Sequence, residues 1–319
     1  MGDQKNIVSK IKDECIRCDI CKNNCSFLKK YNINLLDFVN RKDLRYSCFM
    51  CNKCEFVCPK NLSGRDLALD MRKKKPKGVI KTEFIKNNYK FSNNSKAKSK
   101  DLLYLGCNYP GFFPETSKKL IDICKEKGID YSIDCCKKPV YEKGGYAKIS
   151  QIKKLCQNKN VRRLICCCPN CYHFLKDKLD IEVISIYKFL KENNIGQKIQ
   201  GEVNVFFPCS DRYNKEIFQD IKYYIKDYKN PYKKINCCGL GGGAIDCEKD
   251  LVKDISNYMK EKNEDNIYTY CSSCAGIFTN KYKLNNVKNF LSEILGTNES
   301  ASSNYGKNIL KFKFKNYRK

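Results

Sequence analysis

Cys237-Cys238-Gly239 is the centre of a repeated cysteine pattern in this chain. It follows the run VNVFFPC, which ends at Cys209, and precedes Cys271-Ser-Ser-Cys274. The same order of a single cysteine, an adjacent pair and a C-x-x-C occurs earlier as Cys107, Cys135-Cys136 and Cys168-Pro-Asn-Cys171. Corresponding cysteines are separated by 102 or 103 residues. A register kept by five cysteines over that distance indicates a duplicated structural unit.

Each cysteine site follows a short segment with strand character and precedes one with helical periodicity. Strands are predicted at 102–105, 129–133, 161–165, 182–186, 203–207 and 266–270, and helices at 114–128, 144–156, 172–179, 214–225 and 247–262. Alternating strands and helices predict a parallel sheet with right-handed crossovers, whose strands end at one common edge. We therefore expect the five cysteines of each copy to converge.

Five thiols exceed the four that zinc or an ordinary cubane takes, which favours a larger or unusual iron–sulfur assembly. A buried structural thiol is the alternative for any single one of them.

The first 60 residues contain a second cysteine pattern. Cys15-x2-Cys18-x2-Cys21-x3-Cys25 is followed by Cys48-x2-Cys51-x2-Cys54-x3-Cys58-Pro59, which is the bacterial ferredoxin spacing, whereas zinc sites favour two separated pairs. In two-cluster ferredoxins the fourth cysteine of each motif crosses over. The expected ligand sets are therefore Cys15, Cys18, Cys21 and Cys58 for one [4Fe-4S] cubane, and Cys48, Cys51, Cys54 and Cys25 for the other. Zinc or structural disulfides are the alternatives. The apolar spacing between and after the motifs predicts helices, so we expect a helical two-cluster ferredoxin domain.

The composition limits the classes of protein to which the chain can belong. The chain has 319 residues, 42% hydrophobic content, 23 cysteines and a net charge of +27. Length, spacing and the absence of an apolar leader argue against a secreted disulfide scaffold, and no transmembrane run is present, so a reducing cytoplasmic location is expected. Lysines are dispersed along the chain, which favours solvated faces over a nucleic-acid site; peripheral membrane association through a partner stays open.

The predicted fold class is α+α/β, with a helical ferredoxin-like domain followed by a duplicated α/β domain with parallel sheets. The predicted boundaries are 1–75 for the ferredoxin-like domain, 76–100 for a basic linker, 101–200 and 201–295 for the two repeats, and 296–319 for a flexible basic tail.

The cysteine sets resemble the duplicated CCG domain, which is found in the B-type subunit of heterodisulfide reductase and in related subunits of anaerobic glycerol-3-phosphate, glycolate and lactate dehydrogenases. The N-terminal part resembles the C-type subunit of heterodisulfide reductase, so the whole is similar to a fusion of the C and B types and to the C-type subunit of anaerobic glycerol-3-phosphate dehydrogenase. The resemblance covers about residues 10–75 and 101–285.

This resemblance implies that each CCG set holds a noncubane [4Fe-4S] cluster through five cysteines, and that a disulfide substrate lies between the two and is split in two one-electron steps. The implied ligands at the candidate active site are Cys107, Cys135, Cys136, Cys168 and Cys171 in one set, and Cys209, Cys237, Cys238, Cys271 and Cys274 in the other. Two positions depart from the family pattern. Lys137 stands where Gly usually follows the pair, and Phe206-Phe207 stands where a His often occurs. A lysine at that position predicts an altered loop, so the set around Cys238 is favoured if only one of the two sets holds a full noncubane cluster.

Smaller signals have mostly structural interpretations. Gly239 to Ala244 matches G-x-G-x-x-A, but its position at the cysteine pair favours close backbone approach to a cluster over dinucleotide binding. The single histidine, His173, is interpreted as a helix residue, with proton transfer as the alternative. Cys166 and Cys167 are interpreted as strand-end residues or alternative ligands, and Cys124, Cys156 and Cys247 as buried thiols.

Three functions are compatible with the sequence. The first is an iron–sulfur oxidoreductase subunit that passes electrons from the cubanes to the CCG site, where a disulfide or a quinone is the substrate. The second is a relay subunit of a flavin-dependent dehydrogenase, whose flavoprotein is another chain. The third is a metal-binding scaffold or assembly factor with zinc at the CCG sites. The expected partner is a flavoprotein or ferredoxin-type donor.

Overall fold

The computed structural model describes residues 6–87, 98–262 and 264–314. Within these ranges the helices are α1 (Ile7–Glu14), α2 (Ile20–Asn23), α3 (Ser26–Lys30), α4 (Leu35–Phe38), α5 (Lys53–Val57), α6 (Gly64–Lys74), α7 (Val79–Asn87), α8 (Tyr109–Phe112), α9 (Pro114–Glu126), α10 (Lys138–Glu142), α11 (Ile149–Asn158), α12 (Pro169–Leu175), α13 (Ile186–Glu192), α14 (Glu216–Ile221), α15 (Ala244–Cys247), α16 (Lys249–Lys262), α17 (Ser272–Gly276), α18 (Phe290–Ile294) and α19 (Tyr305–Phe314). None of these helices has the length and hydrophobicity needed to cross a bilayer.

The strands are short and pair only in parallel. They are β1 (Asp101–Tyr104), β2 (Asp130–Ser132), β3 (Arg163–Cys166), β4 (Glu182–Ser185), β5 (Ile199–Asn204), β6 (Ile225–Lys229), β7 (Ile267–Thr269) and β8 (Val287–Asn289). The mixed helical and parallel-sheet class predicted from the sequence is therefore confirmed.

Two compact units divide the chain in a way that differs from the predicted order of domains. The first unit consists of Met1–Ile80, Pro139–Tyr146 and Lys233–Glu261; the second consists of Lys81–Lys138, Ala147–Tyr232 and Lys262–Lys319. The predicted repeats at 101–200 and 201–295 thus each contribute a segment to the unit that contains the N-terminal cysteines. Which segments pack together is decided by tertiary contacts, and local periodicity carries no information about those contacts.

The second unit contains two sheets with the same strand order. The first copy is β2-β1-β3-β4. In the second copy β5 pairs with β6, β7 pairs with β8, and an isolated parallel bridge between Val205 and Tyr268 joins β5 to β7, which gives β6-β5-β7-β8. The apolar centres of these strands, such as Leu102, Leu164 and Ile267, are buried. The duplication inferred from cysteine spacing therefore extends to topology.

The first unit is built mainly from short helices with polar caps. The Asn34 side chain accepts from the backbone N–H of Leu36 and Asp37, while Asp37 accepts from the N–H of Asn34, so α4 begins with a capping box. Ser63 caps α6 by accepting from the N–H of Asp66. These caps satisfy donors that a helix start leaves unpaired, and they fix the loops next to the cysteine motifs.

Four predicted elements need correction. The linker at 76–100 contains α7, and only 88–97 of it lies outside the described residues. The flexible tail at 296–319 contains α19, whose Ile309 and Phe312 are buried, and only 315–319 lies outside the described residues. The helix predicted at 214–225 ends at Ile221, because the β-branched, aromatic sequence that follows forms β6 after one 3₁₀ turn. Strand β8 was not predicted.

Candidate metal centres

The first unit brings Cys15, Cys18, Cys21 and Cys58 around one small cavity. Cys18 is exposed, whereas Cys21 is buried. Burial raises the pKa of the Cys21 thiol, and the nearby Cys15 and Cys58 thiols raise it further. Cys58, from the second motif, therefore shares a neighbourhood with three cysteines of the first motif.

The other four cysteines of this unit form a second neighbourhood. Removal from water raises the pKa of Cys25 to about 12, and Cys48 adds to that shift. The pKa of Cys51 is raised by burial and then by Cys25, with Cys54 and Cys48 also contributing. Cys25 of the first motif thus lies with three cysteines of the second. A metal must displace the protons of such thiols, so loading would release protons.

Backbone N–H groups point at these sulfurs. The N–H of Met50 donates to Cys48 Sγ at 3.4 Å, and the N–H of Gly64 donates to Cys54 Sγ at 3.3 Å. A Cβ on Gly64 would lie 2.9 Å from that sulfur, so glycine is required for the close approach. Hydrogen bonds to cysteine sulfur are one of the ways in which proteins set the potential of an iron–sulfur cluster.

The second unit joins all five cysteines of the first repeated set, Cys107, Cys135, Cys136, Cys168 and Cys171, through thiol contacts. They lie in the loops that follow β1, β2 and β3, which are neighbours in the sheet. The Cys107 thiol is hydrogen-bonded to Cys135, which raises its pKa together with burial. Hydrogen bonds from Cys135 and Cys171 lower the pKa of Cys136. Cys171 in turn contacts Cys168, so the chain of thiols is continuous.

This chain of thiols continues into the second copy. Cys168 is hydrogen-bonded to Cys271, and hydrogen bonds from Cys168 and Cys274 lower the pKa of Cys271. Asn170 also donates to Cys271 Sγ at 3.6 Å. Cys209 follows β5 in the same unit and is half-buried. Cys237 and Cys238 belong to the first unit, so the assignment of the second five-cysteine set stays a prediction.

The loop after each cysteine pair has the same backbone conformation in both copies. Gly239 has φ +86° and its N–H donates to Cys237 Sγ at 3.3 Å. Lys137 has φ +68° and its N–H donates to Cys135 Sγ at 3.4 Å. The expected change of loop at Lys137 is therefore wrong, because the lysine adopts the left-handed conformation that glycine adopts more readily. The preference for the set around Cys238 stays a prediction.

The minor predictions have mixed outcomes. Gly241 approaches the backbone carbonyl of Phe49 so closely that a Cβ would overlap it. The predicted approach of this loop to a cluster stays a prediction. Cys124 and Cys156 are buried as expected, but Cys247 is exposed because it ends the short α15 at the surface.

The donor set fits an iron–sulfur group better than a single metal ion. Thiols are the ligands that iron–sulfur clusters use, and five of them are in contact in the first cysteine set of the second unit, more than the four that one zinc ion takes. The Tyr104 hydroxyl is buried without a hydrogen-bond partner within the described part of the chain, and its pKa is raised by burial and by the nearby Cys171 and Cys136. A buried hydroxyl donor beside several thiols suits an iron–sulfur cluster, because a sulfide of the cluster would accept its hydrogen bond.

Comparison with known proteins identifies part of the chain. The family model described as a cysteine-rich domain, CCG, matches residues 203–279. The matched range contains Cys209, Cys237, Cys238, Cys271 and Cys274. The chain is also similar to the B subunit of the fumarate reductase (CoM/CoB) of Methanothermobacter marburgensis, with 21% identity over 82% of this chain and 66% of that protein. An uncharacterized iron-sulfur protein of Methanocaldococcus jannaschii is 22% identical over 72% of this chain and 56% of its own length.

These matches indicate that the chain is an iron–sulfur protein related to subunits of oxidoreductases. The chain spans somewhat less than two thirds of the length of both relatives.

Asp211, which the sequence did not single out, connects three cysteine-bearing loops of the second unit. It lies two residues after Cys209 in the CCG domain and is fully buried. Its Oδ1 lies 2.8 Å from Nε2 of His173, two residues after Cys171, and its Oδ2 accepts from the Tyr270 hydroxyl at 2.7 Å, next to Cys271. The N–H groups of Ile217 and Phe218 also donate to this carboxylate. In the sequence, the only sign of this role is a short polar residue soon after a cysteine. Such a residue does not indicate whether its side chain is buried.

The C-terminal helix α19 holds the loop that carries Cys107. The Tyr305 hydroxyl lies 3.2 Å from the carbonyl of Cys107 and 3.1 Å from Oδ1 of Asn108. The Tyr305 ring packs on Gly111, where a Cβ would overlap it, and Asn308 Nδ2 donates to the Gly111 carbonyl at 3.0 Å. The segment predicted as a tail is therefore part of the support of the first cysteine set.

Deleting residues 305–319 is expected to lower the thermal midpoint and to release iron from the CCG part of the chain. The point variant Tyr305→Phe removes one hydroxyl and should cost about 0.5–1.5 kcal/mol. Calorimetry and iron analysis of anaerobically purified protein measure both effects. Leu310→Ser, at a half-exposed position of the same helix, is the control and should leave the iron content unchanged.

Proposed function

We propose that this chain is an iron–sulfur oxidoreductase subunit that passes electrons from two cubane clusters to a cluster site built from the CCG-type cysteines. One cubane would be held by Cys15, Cys18, Cys21 and Cys58, and the other by Cys25, Cys48, Cys51 and Cys54. The CCG-type ligands would be Cys107, Cys135, Cys136, Cys168 and Cys171, with Cys209, Cys237, Cys238, Cys271 and Cys274 as the second set.

The continuous series of thiol contacts from Cys107 to Cys274 carries this proposal. Seven cysteines from four loops meet there, far more than a structural zinc site takes. The eight N-terminal cysteines fall into two neighbourhoods of four, as an electron relay with two clusters requires. A non-catalytic scaffold would have no use for such a relay.

Disulfide reduction is the reaction that we propose for the CCG site. Two electrons and two protons convert one disulfide into two thiols, and clusters that each pass one electron at a time would supply the electrons in two steps. The thiol-lined, buried surroundings would exclude water from the sulfur being reduced. A flavoprotein or ferredoxin-type protein would be the donor.

A relay role without a substrate site is the second candidate. The similarity to the B subunit of a fumarate reductase (CoM/CoB) favours it, because that relative is named as one subunit of an enzyme. In this case the electrons would pass through the chain to or from a catalytic subunit.

Metal analysis and electron paramagnetic resonance (EPR) of anaerobically purified protein test the proposal. We expect iron and acid-labile sulfide, two cubane signals on reduction, and further signals that change when a disulfide or thiol is added. Cluster signals indifferent to every disulfide tried would favour the relay role. Zinc in the CCG part and no iron there would contradict both and support the scaffold.

A further inference from the structure

Arg72 is a fully buried cation in the first unit whose hydrogen-bond donors all face backbone oxygens. It belongs to the last turn of α6, where basic residues are normally solvated. Its Nε donates to the carbonyl of Arg45 at 2.7 Å and its Nη2 to that of Cys48 at 2.9 Å. Nη1 donates to the carbonyls of Glu142 at 2.8 Å and Gly242 at 3.0 Å.

These four bonds engage all three nitrogens of the guanidinium. Burial lowers the pKa of Arg72 although the Glu142 carboxylate acts on it, so its positive charge is only partly balanced. Within the part of the chain that the structure describes, no carboxylate forms an ion pair with Arg72. The ring of Tyr46 lies 4.8 Å from Cζ and supplies a cation–π contact. Burying a cation costs several kcal/mol unless an anion lies nearby, so the site is arranged for a negative group.

The surroundings of Arg72 are built to hold it in this position. Gly242 has φ +56°, and a Cβ there would overlap Nη1 of Arg72. A Cβ on Gly144 would overlap the carbonyl of Arg72 itself. Two glycines from separate segments thus make room for one arginine, which is more than a solvated helix end requires.

The second cysteine neighbourhood is the place where negative charge would arise. Arg72 is bonded to the carbonyl of Cys48. Both Arg72 and Arg65 act electrostatically on the Cys48 sulfur, and the Glu142 carboxylate opposes them. Arg65 is already paired with Asp66 at 3.2 Å, so Arg72 is the cation available to balance new negative charge. Four thiolates with a cubane carry net negative charge, which increases by one on reduction.

We propose that Arg72 is the fixed counter-charge of the cluster held by Cys25, Cys48, Cys51 and Cys54, and that it raises the reduction potential of this cluster. This inference rests on the proposed function, since it requires a cluster at these cysteines. A positive charge stabilises the reduced, more negative state more than the oxidised state, particularly where the surroundings exclude water. Arg72 is thus a positioning and potential-setting residue for a cluster buried deeper than the one next to exposed Cys18.

Redox titration followed by EPR on the full chain tests this role. Arg72→Gln should move one of the two cubane signals to lower potential by at least a tenfold change in its reduction equilibrium, about 59 mV for one electron. Arg72→Lys retains the charge and should stay near the wild-type potential. Arg41→Gln removes the same charge at an exposed position paired with Asp43 and should shift neither signal.

Two results would overturn the assignment. The first is an unshifted pair of signals in an Arg72→Gln protein with its full iron content. The second is a shift in Arg72→Lys as large as that in Arg72→Gln, which would assign the effect to hydrogen-bond geometry and not to charge. If Arg72→Gln loses the cluster, a shift of about 59 mV or more in Arg72→Lys is the result that overturns the assignment. Wild-type protein without cubane signals would instead contradict the proposed function itself.

Discussion

Replacing Asp211 with alanine is expected to destabilise the second unit by about 3–5 kcal/mol, since the change leaves buried partners of a carboxylate unpaired. The Tyr270 hydroxyl and the N–H groups of Ile217 and Phe218 would lose their acceptor, and His173 would lose its partner. The larger consequence is geometric. The carboxylate fixes the loops of Cys209, Cys171 and Cys271 relative to one another, so the cysteines should bind iron less tightly.

Urea unfolding and iron analysis of anaerobically purified protein measure this effect. Asp211→Asn retains the shape and an acceptor oxygen, so its loss should lie between wild type and alanine. Asp180→Asn is the control, because Asp180 forms a surface ion pair with Lys153 and its side chain is 87% exposed; such pairs contribute about 0–1 kcal/mol. An Asp211→Ala protein with wild-type urea midpoint and iron content would show that the loops hold their positions without the carboxylate.

Local patterns in the sequence predicted much of the parallel sheet. Segments such as 102–105 and 161–165 are apolar and short and end at cysteines, and they correspond to β1 and β3. The strand order adds to this, because three consecutive strands that end in cysteine loops are neighbours in the sheet. The convergence of Cys107, Cys135 and Cys168 could thus be expected from parallel topology alone.

Long-range contacts decide what the sequence could not provide. In the sequence, Arg72 is one of several basic residues at the end of a helix. In the structure it is buried, and its guanidinium donates to the carbonyls of Glu142 and Gly242, which are distant in sequence. Asp211 likewise resembles an ordinary loop residue in the sequence, because its partners His173 and Tyr270 are distant along the chain. Lys137 shows that residue type alone does not determine the backbone conformation. Lysine disfavours a positive φ, yet Lys137 has φ +68° in the loop after the cysteine pair.

The crossed assignment of the N-terminal cysteines gives the other large expected effect. Cys18 and Cys58 line the same cavity, whereas Cys25 lies among Cys48, Cys51 and Cys54. Each of Cys18→Ala, Cys58→Ala and Cys25→Ala should therefore lose one cubane, about four iron atoms per chain, because a cubane with three thiolates is poorly retained.

Pairs of substitutions separate the crossed from the uncrossed arrangement, since residues that serve one cluster act as a unit. Cys18→Ala with Cys58→Ala should lose no more iron than either change alone and should leave one cubane EPR signal. Cys18→Ala with Cys25→Ala should abolish both signals. Cys247→Ala, at an exposed cysteine outside both neighbourhoods, should change neither iron content nor signals. If the motifs did not cross, the two double variants would exchange these outcomes, because Cys25 would then serve the cluster of Cys18, and Cys58 the other one.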